Sequence, residues 1–295
     1  MLVIVALCAT AIAGVADKEA ALVMGYSNQV FYNVDPRDAI ALIRSWMRMI
    51  DRKLGSRSET SVVQYKTFMD MEDALAKNKV DMLIMLPEEF IQLREQYKLA
   101  PVLSVDYGKH FYNELILIVR SDAGISKIEQ LRGKSLILDV GQQGFVPYQW
   151  LDSFMLKKVS SRSKSFFSSV SESVKPAQAV MPVFFRKADA CVVSRNSYET
   201  MVELNPQLGR QMLVLESSPG FLAGVLAVRK DVHNPTCDAM LKAFLGMHTE
   251  QSGRQIMTLF RVNRLVPFLP EHLVAIEKVV KEYGGKTIVA ARRNK

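Results

Sequence analysis

The sequence predicts an α/β fold with largely parallel sheets. Strand-like and helix-like patterns alternate from residue 20 onward, which is typical of strands joined by helical crossovers. A near-continuous apolar run at 80–86 indicates a strand that is buried on both faces, as in a parallel sheet. Two further apolar segments, 111–121 and 221–231, are long for a single sheet, and each could carry the chain from one lobe into another.

The first half of the chain supplies the clearest elements. Residues 36–54 form a long amphipathic pattern with Asp35 as its N-cap, Pro36 at its first position and Gly55 as its C-cap. The remaining elements follow from apolar alternation and helical periodicity. We predict strands at 21–27, 61–66, 80–86, 100–106 and 111–121, and helices at 69–79 and 88–97.

The second half repeats this alternation and then becomes helical. We predict strands at 135–139, 188–194, 211–217 and 221–231, and helices at 126–131, 147–157, 175–188, 196–204, 235–260 and 269–284. The serine-rich stretch 160–174 is expected to be a loop and not a disordered linker, because Phe166, Phe167 and Val170 interrupt it.

The composition is that of an ordinary globular protein. The chain has 295 residues, 49% hydrophobic and 23% charged, which is enough for one large or two medium globular domains. The net charge is +8, but the basic residues are scattered and no nucleic-acid-binding signature is present, so we expect no nucleic-acid partner. Cys191 and Cys237 lie in strand-like and helix-like runs, and we expect two buried free thiols, although one disulfide between them is possible.

The N-terminus resembles an export signal. Residues 1–16 contain no charged side chain and end in small-residue patterns suited to cleavage after Ala13 or Ala16. The run is too short for the ~20 residues that a membrane-spanning helix needs. We therefore predict a signal peptide at 1–16. No Lys or Arg precedes the apolar run, so a weak signal or a start site that lies further upstream stays open.

A glycine-flanked loop marks the start of one helix. The strand 135–139 is followed by Gly141, Gln142, Gln143 and Gly144, and then by the helix at 147–157. A loop that leaves a strand and opens a helix directs backbone N–H groups outward, and the helix dipole favours negative charge there. Gln142, Gln143 and Gly144 are therefore predicted ligand-binding residues, with an ordinary strand-to-helix connection as the alternative.

The order of elements resembles a known family, the type 2 periplasmic solute-binding proteins. Within it, the chain is similar to the phosphate/phosphonate-binding (PhnD-like) branch of ABC-transporter receptors. The residues that carry the resemblance are VDMLIMLPEEF, YNELILIVRSDAGISKIEQLRGKSLILDV, ADACVVS and VLESSPGFLAGVLAVRKD. The resemblance covers about residues 20 to 245, but the motifs do not select a ligand.

The resemblance implies two α/β lobes that are joined by two crossing strands and close on a ligand by hinge motion. The crossings would fall near Ile118 and Phe221, with 17–118 and 221–295 in lobe 1 and 119–220 in lobe 2. It further implies a periplasmic receptor without a cofactor, expected to be a monomer, that captures a small polar ligand for an ABC-transporter permease, with a phosphonate- or phosphate-like anion as one option. A sensor that feeds a membrane kinase is the alternative.

The sequence departs from the phosphonate-binding pattern at one loop. Where relatives carry a serine- and threonine-rich loop, this chain has GQQGFVPYQW, which keeps amide donors but lacks the hydroxyls. Glutamine side chains can donate and accept, so an amide, hydroxyl or carboxylate ligand would also fit. Glu88 and Glu89 begin a helix near the expected cleft; their charge suits a helix N-terminus, but either one facing the cleft would disfavour an anion.

Other candidate ligand-binding residues lie at strand ends. Tyr26 and Ser27 follow the first strand, Tyr65 ends the second, and Tyr112 lies near the first crossing. Ligands of open α/β sheets bind beyond the carboxyl ends of the strands, which motivates this choice. For each tyrosine, a core or rim position is an equally good interpretation. Ser194 and Asn196, which follow ACVV, are weaker candidates from the second lobe.

Catalytic and metal-binding patterns are not found in the sequence. The four histidines show no metal-ligand spacing, and no nucleophile or phosphate-loop motif occurs, so we expect neither a metal nor catalytic residues. Some proteins of this fold are lyases that use a cleft carboxylate as a base. Glu216 or Asp139 would be the residues to test for that alternative.

Overall fold

The computed structural model describes residues 21–31, 34–56, 59–108, 111–141, 144–232 and 235–283, with only the backbone of Pro235. The predicted signal at 1–16 lies outside these residues. The strands are β1 (Val23–Ser27), β2 (Ser61–Tyr65), β3 (Met82–Met85), β4 (Leu99–Asp106), β5 (Leu115–Arg120), β6 (Ser135–Asp139), β7 (Ser169–Ser173), β8 (Ala190–Ser194), β9 (Met212–Ser217), β10 (Val225–Arg229) and β11 (Arg264–Pro267). The helices are α1 (Pro36–Leu54), α2 (Phe68–Ala76), α3 (Pro87–Leu93), α4 (Val146–Val159), α5 (Ser163–Phe166), α6 (Pro176–Phe184), α7 (Arg195–Leu204), α8 (Pro206–Gln211), α9 (Pro235–Gly246), α10 (Gln251–Leu259) and α11 (Val274–Tyr283).

The strands form two sheets with helices around them, which confirms the predicted two-lobe α/β fold. The first sheet has the order β11-β4-β10-β3-β1-β2, and the second has the order β7-β6-β8-β5-β9. Strands joined by helices pair in parallel: β1 with β2 and β3, and β6 with β7 and β8. Strands β10 and β5 are antiparallel to their neighbours, so each sheet is mixed.

Two connecting segments join the sheets. The chain leaves β4 of the first sheet at Asp106 and enters β5 of the second at Leu115; it returns from β9 to β10 through residues 218–224. The two segments pair at Asn113 and Phe221, whose backbones exchange N–H to carbonyl hydrogen bonds of 2.8 and 2.9 Å. The predicted first crossing near Ile118 was placed too late, because Ile118 lies within β5 and pairs with Cys191 of β8.

The C-terminal helix contacts both lobes. Helix α11 packs against α4 of the second lobe and α3 of the first. Arg94 donates to Glu277 at 2.6 Å, and Lys157 donates to Glu282 at 2.7 Å. The assignment of 221–295 to lobe 1 alone therefore does not describe α11, which bridges the two lobes.

Local sequence rules account for α1. The Asp35 carboxylate accepts a hydrogen bond from the backbone N–H of Arg37 at 2.9 Å, and Gly55 closes the helix with φ +66°. Both predicted caps are confirmed. Cys191 and Cys237 are buried free thiols, as expected. None of the helices within the described ranges is long and apolar enough to cross a membrane.

Candidate functional site

A cleft of about 870 Å³ lies between the two lobes. Its walls come from both sheets and from the first connecting segment. The lining residues are Asn28, Gln29, Val30, Phe31, Val34, Tyr107, Val140, Gly141, Val174, Lys175, Pro176, Ala177, Asn196, Ser197, Glu199, Thr200, Met201, Glu203, Phe260 and Arg261. The volume is in the range of small-molecule sites.

The cleft lies where strands of both sheets end. Residues 28–31 follow β1, residues 140–141 follow β6, residues 174–177 follow β7, and residues 196–203 follow β8. In the second sheet β6, β7 and β8 run parallel, so their carboxyl ends meet at one edge. This is the edge at which open α/β sheets bind ligands.

Two helices begin in the wall that the second lobe contributes. Helix α6 starts at Pro176 and α7 at Arg195, and residues of both first turns line the cleft. The Ser194 hydroxyl caps α7 by accepting the backbone N–H of Ser197 at 3.2 Å. The positive ends of both helix dipoles therefore meet the cleft, which favours negative charge in it.

The charged side chains of the lining balance one another. Lys175 and Arg261 are its cations, and Glu199 and Glu203 are its anions within the described chain. Each glutamate already interacts with another group of the protein. The amide oxygen of Asn196 is a buried acceptor with no hydrogen-bond partner among the described residues. Among the described lining residues, the positions of the charged and polar groups, and not their net charge, therefore determine which ligand the cleft selects.

Gly141 lets two loops of the second lobe approach closely. Next to it, the backbone N–H of Val140 donates to the carbonyl of Ser173 at 2.9 Å. A Cβ atom at position 141 would lie 2.3 Å from the carbonyl oxygen of Val174. Only glycine permits this contact, and both loops line the cleft.

Asp139 lies beneath this part of the cleft. It is 5% exposed, at the end of β6, and it accepts the backbone N–H of Gly141 at 3.2 Å. Burial raises the pKa of its carboxyl from 3.8 to about 6, although the hydrogen bond from Gly141 opposes the shift. Glu216, the other carboxylate considered as a base, lies in β9 opposite Leu117 and does not line the cleft.

The predicted residues at the ends of β1 and β2 lie below the cleft surface. Tyr26, Ser27 and Tyr65 are 0%, 5% and 7% exposed, and none of them is among the described lining residues. The Ser27 hydroxyl donates to Glu89 at 3.0 Å, and the Glu89 carboxylate also accepts the backbone N–H of Leu86 at 2.9 Å. Ser27 and Glu89 thus fix the loops behind the cleft.

The Glu88 and Glu89 side chains do not face the cleft. Both are buried at the start of α3, and neither is a lining residue. Glu89 accepts hydrogen bonds from the backbone N–H of Leu86, directly after β3, and from the Ser27 hydroxyl at the end of β1, which agrees with the helix N-terminus interpretation. Glu88 and Glu89 therefore do not disfavour an anionic ligand in the cleft.

The remaining predicted residues occupy three different places. Tyr112 lies in the first connecting segment and is 37% exposed. Its Cβ packs so closely on Gly220 that a Cβ added to that glycine would be only 2.5 Å away. Ser194 caps α7 behind the lining residue Ser197. Gly144 is buried with φ +52° just before α4. Gln142 and Gln143 lie outside the described residues, so the assignments to this loop stay predictions, as do those to Tyr112 and Ser194.

Several lining residues were not identified from the sequence. Lys175 and the start of α6 follow β7, whose polar sequence SVSES resembles a loop. Arg261 and Phe260 come from a turn after α10, and no local pattern places that turn beside β1. Tyr107 directly follows β4, and the rule that selected Tyr26 and Ser27 at strand ends would have found it.

The buried hydroxyl of Tyr26 provides a direct test of its role. It has no hydrogen-bond partner among the described residues, and burial raises the pKa of Tyr26 to about 12. We expect Tyr26→Phe to leave the free energy of unfolding unchanged or to raise it by up to about 1 kcal/mol, because an unpaired buried hydroxyl is removed. Urea denaturation measures this.

Tyr198→Phe is the matched control for Tyr26→Phe. The Tyr198 hydroxyl donates to the carbonyl of Leu208 at 3.2 Å, so its loss should cost about 1 kcal/mol. A Tyr26→Phe protein that is destabilised as much as Tyr198→Phe would show that the Tyr26 hydroxyl has a partner. Weaker ligand binding without loss of stability would assign that hydroxyl to the ligand.

Comparison with solved structures shows the same fold. XAC2383 from Xanthomonas citri, bound to ATP, is 14% identical, with a TM-score of 0.68 over 89% of this chain and 96% of that one. PhnD1 from Prochlorococcus marinus, in complex with methylphosphonate, is 12% identical, with a TM-score of 0.64 over 89% and 97%. A binding protein component of an ABC phosphonate transporter from Pseudomonas aeruginosa is 11% identical, with a TM-score of 0.64 over 88% and 85%. At sequence identities this low, the similarity establishes a shared fold and nothing more.

Sequence comparison identifies the family. A search of curated protein sequences finds no match. Residues 30–273 match the family model of the phosphonate ABC transporter periplasmic substrate-binding protein, which includes both sheets except β1. The chain therefore belongs to the family of periplasmic substrate-binding proteins of phosphonate ABC transporters.

Proposed function

We propose that this protein captures a small phosphonate-like anion in the cleft between its lobes and delivers it to the permease of an ABC transporter. The observation that carries the proposal is the cleft itself, where Lys175 and the N-terminal turns of α6 and α7 form one wall. A tetrahedral oxyanion suits such a wall, since helix N-termini and a lysine ammonium both favour negative charge. The family and the methylphosphonate held by PhnD1 support the same ligand class.

The pairing of Asn113 with Phe221 supports a hinged receptor. Both crossings are short, and they are joined to each other by two backbone hydrogen bonds. Lobes connected in this way can rotate toward one another about the crossings and enclose a ligand. Closure would bring Arg261 of the first lobe toward Lys175 of the second, so that an anion between them would offset their repulsion.

A receptor with this role must be exported and must meet a membrane partner. We propose that residues 1–16 direct export and that the closed form is recognised by a permease. A sensor with the same cleft would instead bind a kinase or chemoreceptor domain. Pull-down of the methylphosphonate-loaded protein with detergent-solubilised permease, compared with the ligand-free protein, distinguishes the two roles.

Lys175 provides the test of the anion site. We expect Lys175→Met to weaken methylphosphonate binding about 10- to 100-fold, because a charge-assisted hydrogen bond contributes about 1.5–3 kcal/mol. Isothermal titration calorimetry at low salt measures the change. Binding to the variant should also depend less on salt concentration, since one cation is removed.

Lys187→Met is the matched control. Lys187 is exposed in the second lobe, after α6, and it does not line the cleft. The control has the same net charge as Lys175→Met, so long-range effects of charge on binding are equal in the two. Equal affinities of both variants and the unaltered protein would contradict the proposed site, and no binding of methylphosphonate or phosphate at all would contradict the ligand class.

A further inference from the structure

A second, smaller cavity lies inside the first lobe. It measures about 50 Å³, and every residue of its described lining is apolar. The first sheet contributes Met24, Ile84 and Val105 to the lining, and the helices that cover it contribute Ile43, Phe244 and Ile256. The cavity therefore lies between the first sheet and helices α1, α9 and α10. The cavity is partly open, and its apolar walls suit an apolar group.

Two phenylalanines border both this cavity and the cleft. Phe31 and Phe260 line both spaces, and their ring centroids are 4.2 Å apart. Phe31 lies in the turn after β1, and Phe260 ends α10 just before Arg261, whose φ is +55°. Both rings are only half-buried and belong to turns, outside the helices and strands. Because both rings line both spaces, the cavity adjoins the cleft at these two residues.

The size of the cavity sets the size of the group that fits. A void of about 10–15 Å³ accommodates one water-sized group, so 50 Å³ accommodates about three to five. A methylene or methyl group is of similar size, and an unbranched chain of a few carbons would fit. Met24, Met247 and Met257 in the walls can adapt to such a chain, because methionine is flexible and fills irregular gaps.

We propose that the apolar cavity receives the alkyl substituent of a ligand whose phosphonate group is held in the cleft. This inference rests on the proposed function and narrows its ligand class to n-alkylphosphonates of about three to five carbons. The anionic group would stay beside Lys175 in the cleft while the chain enters the cavity alongside Phe31 and Phe260. The ligand would thus contact both lobes.

A chain-length series tests the inference. Methyl-, ethyl-, propyl-, butyl-, pentyl- and octylphosphonate are titrated into the full-length protein by calorimetry. We expect the dissociation constant to fall about two- to fourfold with each methylene up to about five carbons, because each buried methylene contributes to transfer from water. Octylphosphonate should bind more weakly than pentylphosphonate, since its chain exceeds the cavity.

A variant that fills the cavity locates the chain. Ile256 lies on α10 in the wall of the cavity, and Ile256→Phe is expected to abolish the dependence of affinity on chain length. Leu259→Phe is the matched control: Leu259 lies on the same helix, is 52% exposed and lines neither space. The control should keep the dependence of the unaltered protein. Melting temperatures of both variants verify that they are folded.

Each contrary result has a distinct meaning. Tight binding of methylphosphonate with no gain for longer chains overturns the alkyl inference and leaves the proposed function in place. A gain with chain length that persists in Ile256→Phe also overturns it, because the chain would then lie elsewhere. Failure of every phosphonate to bind overturns the proposed function and the inference together.

Discussion

Alanine in place of Gly141 is expected to lower the free energy of unfolding by about 1–3 kcal/mol, the usual cost of overpacking. The same change should weaken methylphosphonate binding about tenfold, or by about 1.4 kcal/mol. A Cβ at this position would lie 2.3 Å from the carbonyl oxygen of Val174, and a backbone atom cannot move aside as a flexible side chain can. The loops after β6 and β7 would have to separate.

The effect on binding follows from the residues beside the contact. Val174 is followed by Lys175 and the first turn of α6, and all of them line the cleft. Separation of the two loops would therefore displace the cation and the helix N-terminus that we propose for the anion. Urea denaturation and calorimetric titration on the same preparation measure the two effects separately.

Gly246→Ala is the control for Gly141→Ala. Gly246 ends α9, and a Cβ there would meet no atom within 4 Å. Alanine has the higher helix propensity, so this variant should be as stable as the unaltered protein or slightly more stable. Equal stability and affinity in Gly141→Ala would show that the loops after β6 and β7 can part without consequence for the cleft.

The fold could be predicted from the sequence because its signals are local. The caps of α1, the apolar run of β3 and the alternation of strands with helices each depend on a few neighbouring residues. β7 was missed because its sequence, SVSES, is polar, and it lies at the edge of the second sheet where one side is unpaired. At an edge, backbone pairing with β6 suffices to form a strand without an apolar pattern.

The position of the first crossing could not be predicted so well. Residues 111–121 form one apolar stretch, but the sequence does not show which part belongs to a sheet. Ile118 lies inside the second sheet because β8 and β9 pair with β5 on both sides, and these strands come 70 or more residues later. Pairing over such distances is set by tertiary structure and leaves no local pattern.

The site was predicted in outline but in few of its residues. The rule that ligands meet the carboxyl ends of strands led to Ser27, Ser194 and Asn196; of these Asn196 lines the cleft, and the lining residue Asn28 lies one position beyond Ser27. The strand ends themselves are buried under the loops that follow them, so the first exposed positions lie beyond. Arg261 comes from a distant turn, and only the packing of α10 beside β1 places it in the cleft.

Asparagine in place of Asp139 is expected to stabilise the protein at pH 8. The carboxyl is 5% exposed, and burial raises its pKa from 3.8 to about 6. At pH values between these two pKa values, the folded protein binds more protons than the unfolded chain. The contribution of Asp139 to the free energy of unfolding is therefore complete below about pH 4 and is lost as the pH rises through 6. A shift of about two pKa units corresponds to a loss of about 3 kcal/mol.

Asparagine keeps the geometry and removes the charge. Its amide oxygen can still accept the backbone N–H of Gly141, which now donates to Asp139 at 3.2 Å. We therefore expect Asp139→Asn to be up to about 3 kcal/mol more stable than the unaltered protein at pH 8 and equally stable near pH 4. Denaturation midpoints at a series of pH values give the difference directly.

Asp231→Asn supplies a control of the opposite sign. The Asp231 carboxylate is exposed, and hydrogen bonds from Arg229 lower its pKa, so its contribution is present above its unfolded pKa and is lost as the pH falls. Removing that charge should slightly reduce stability at pH 8. If Asp139→Asn were also less stable than the unaltered protein at pH 8, the ionised Asp139 would be stabilised by a partner and not penalised by burial.

The same substitution bears on the ligand. Ionised Asp139 lies two residues before Gly141, beneath the wall of the cleft that we propose for a phosphonate. Its negative charge repels an anion there, and this repulsion grows as the pH rises through about 6. Asp139→Asn should therefore bind methylphosphonate more tightly at pH 8, with little difference near pH 5. Tighter binding by the unaltered protein than by Asp139→Asn at pH 8 would mean that the ionised carboxylate does not repel the bound anion, and that the anion lies elsewhere in the cleft.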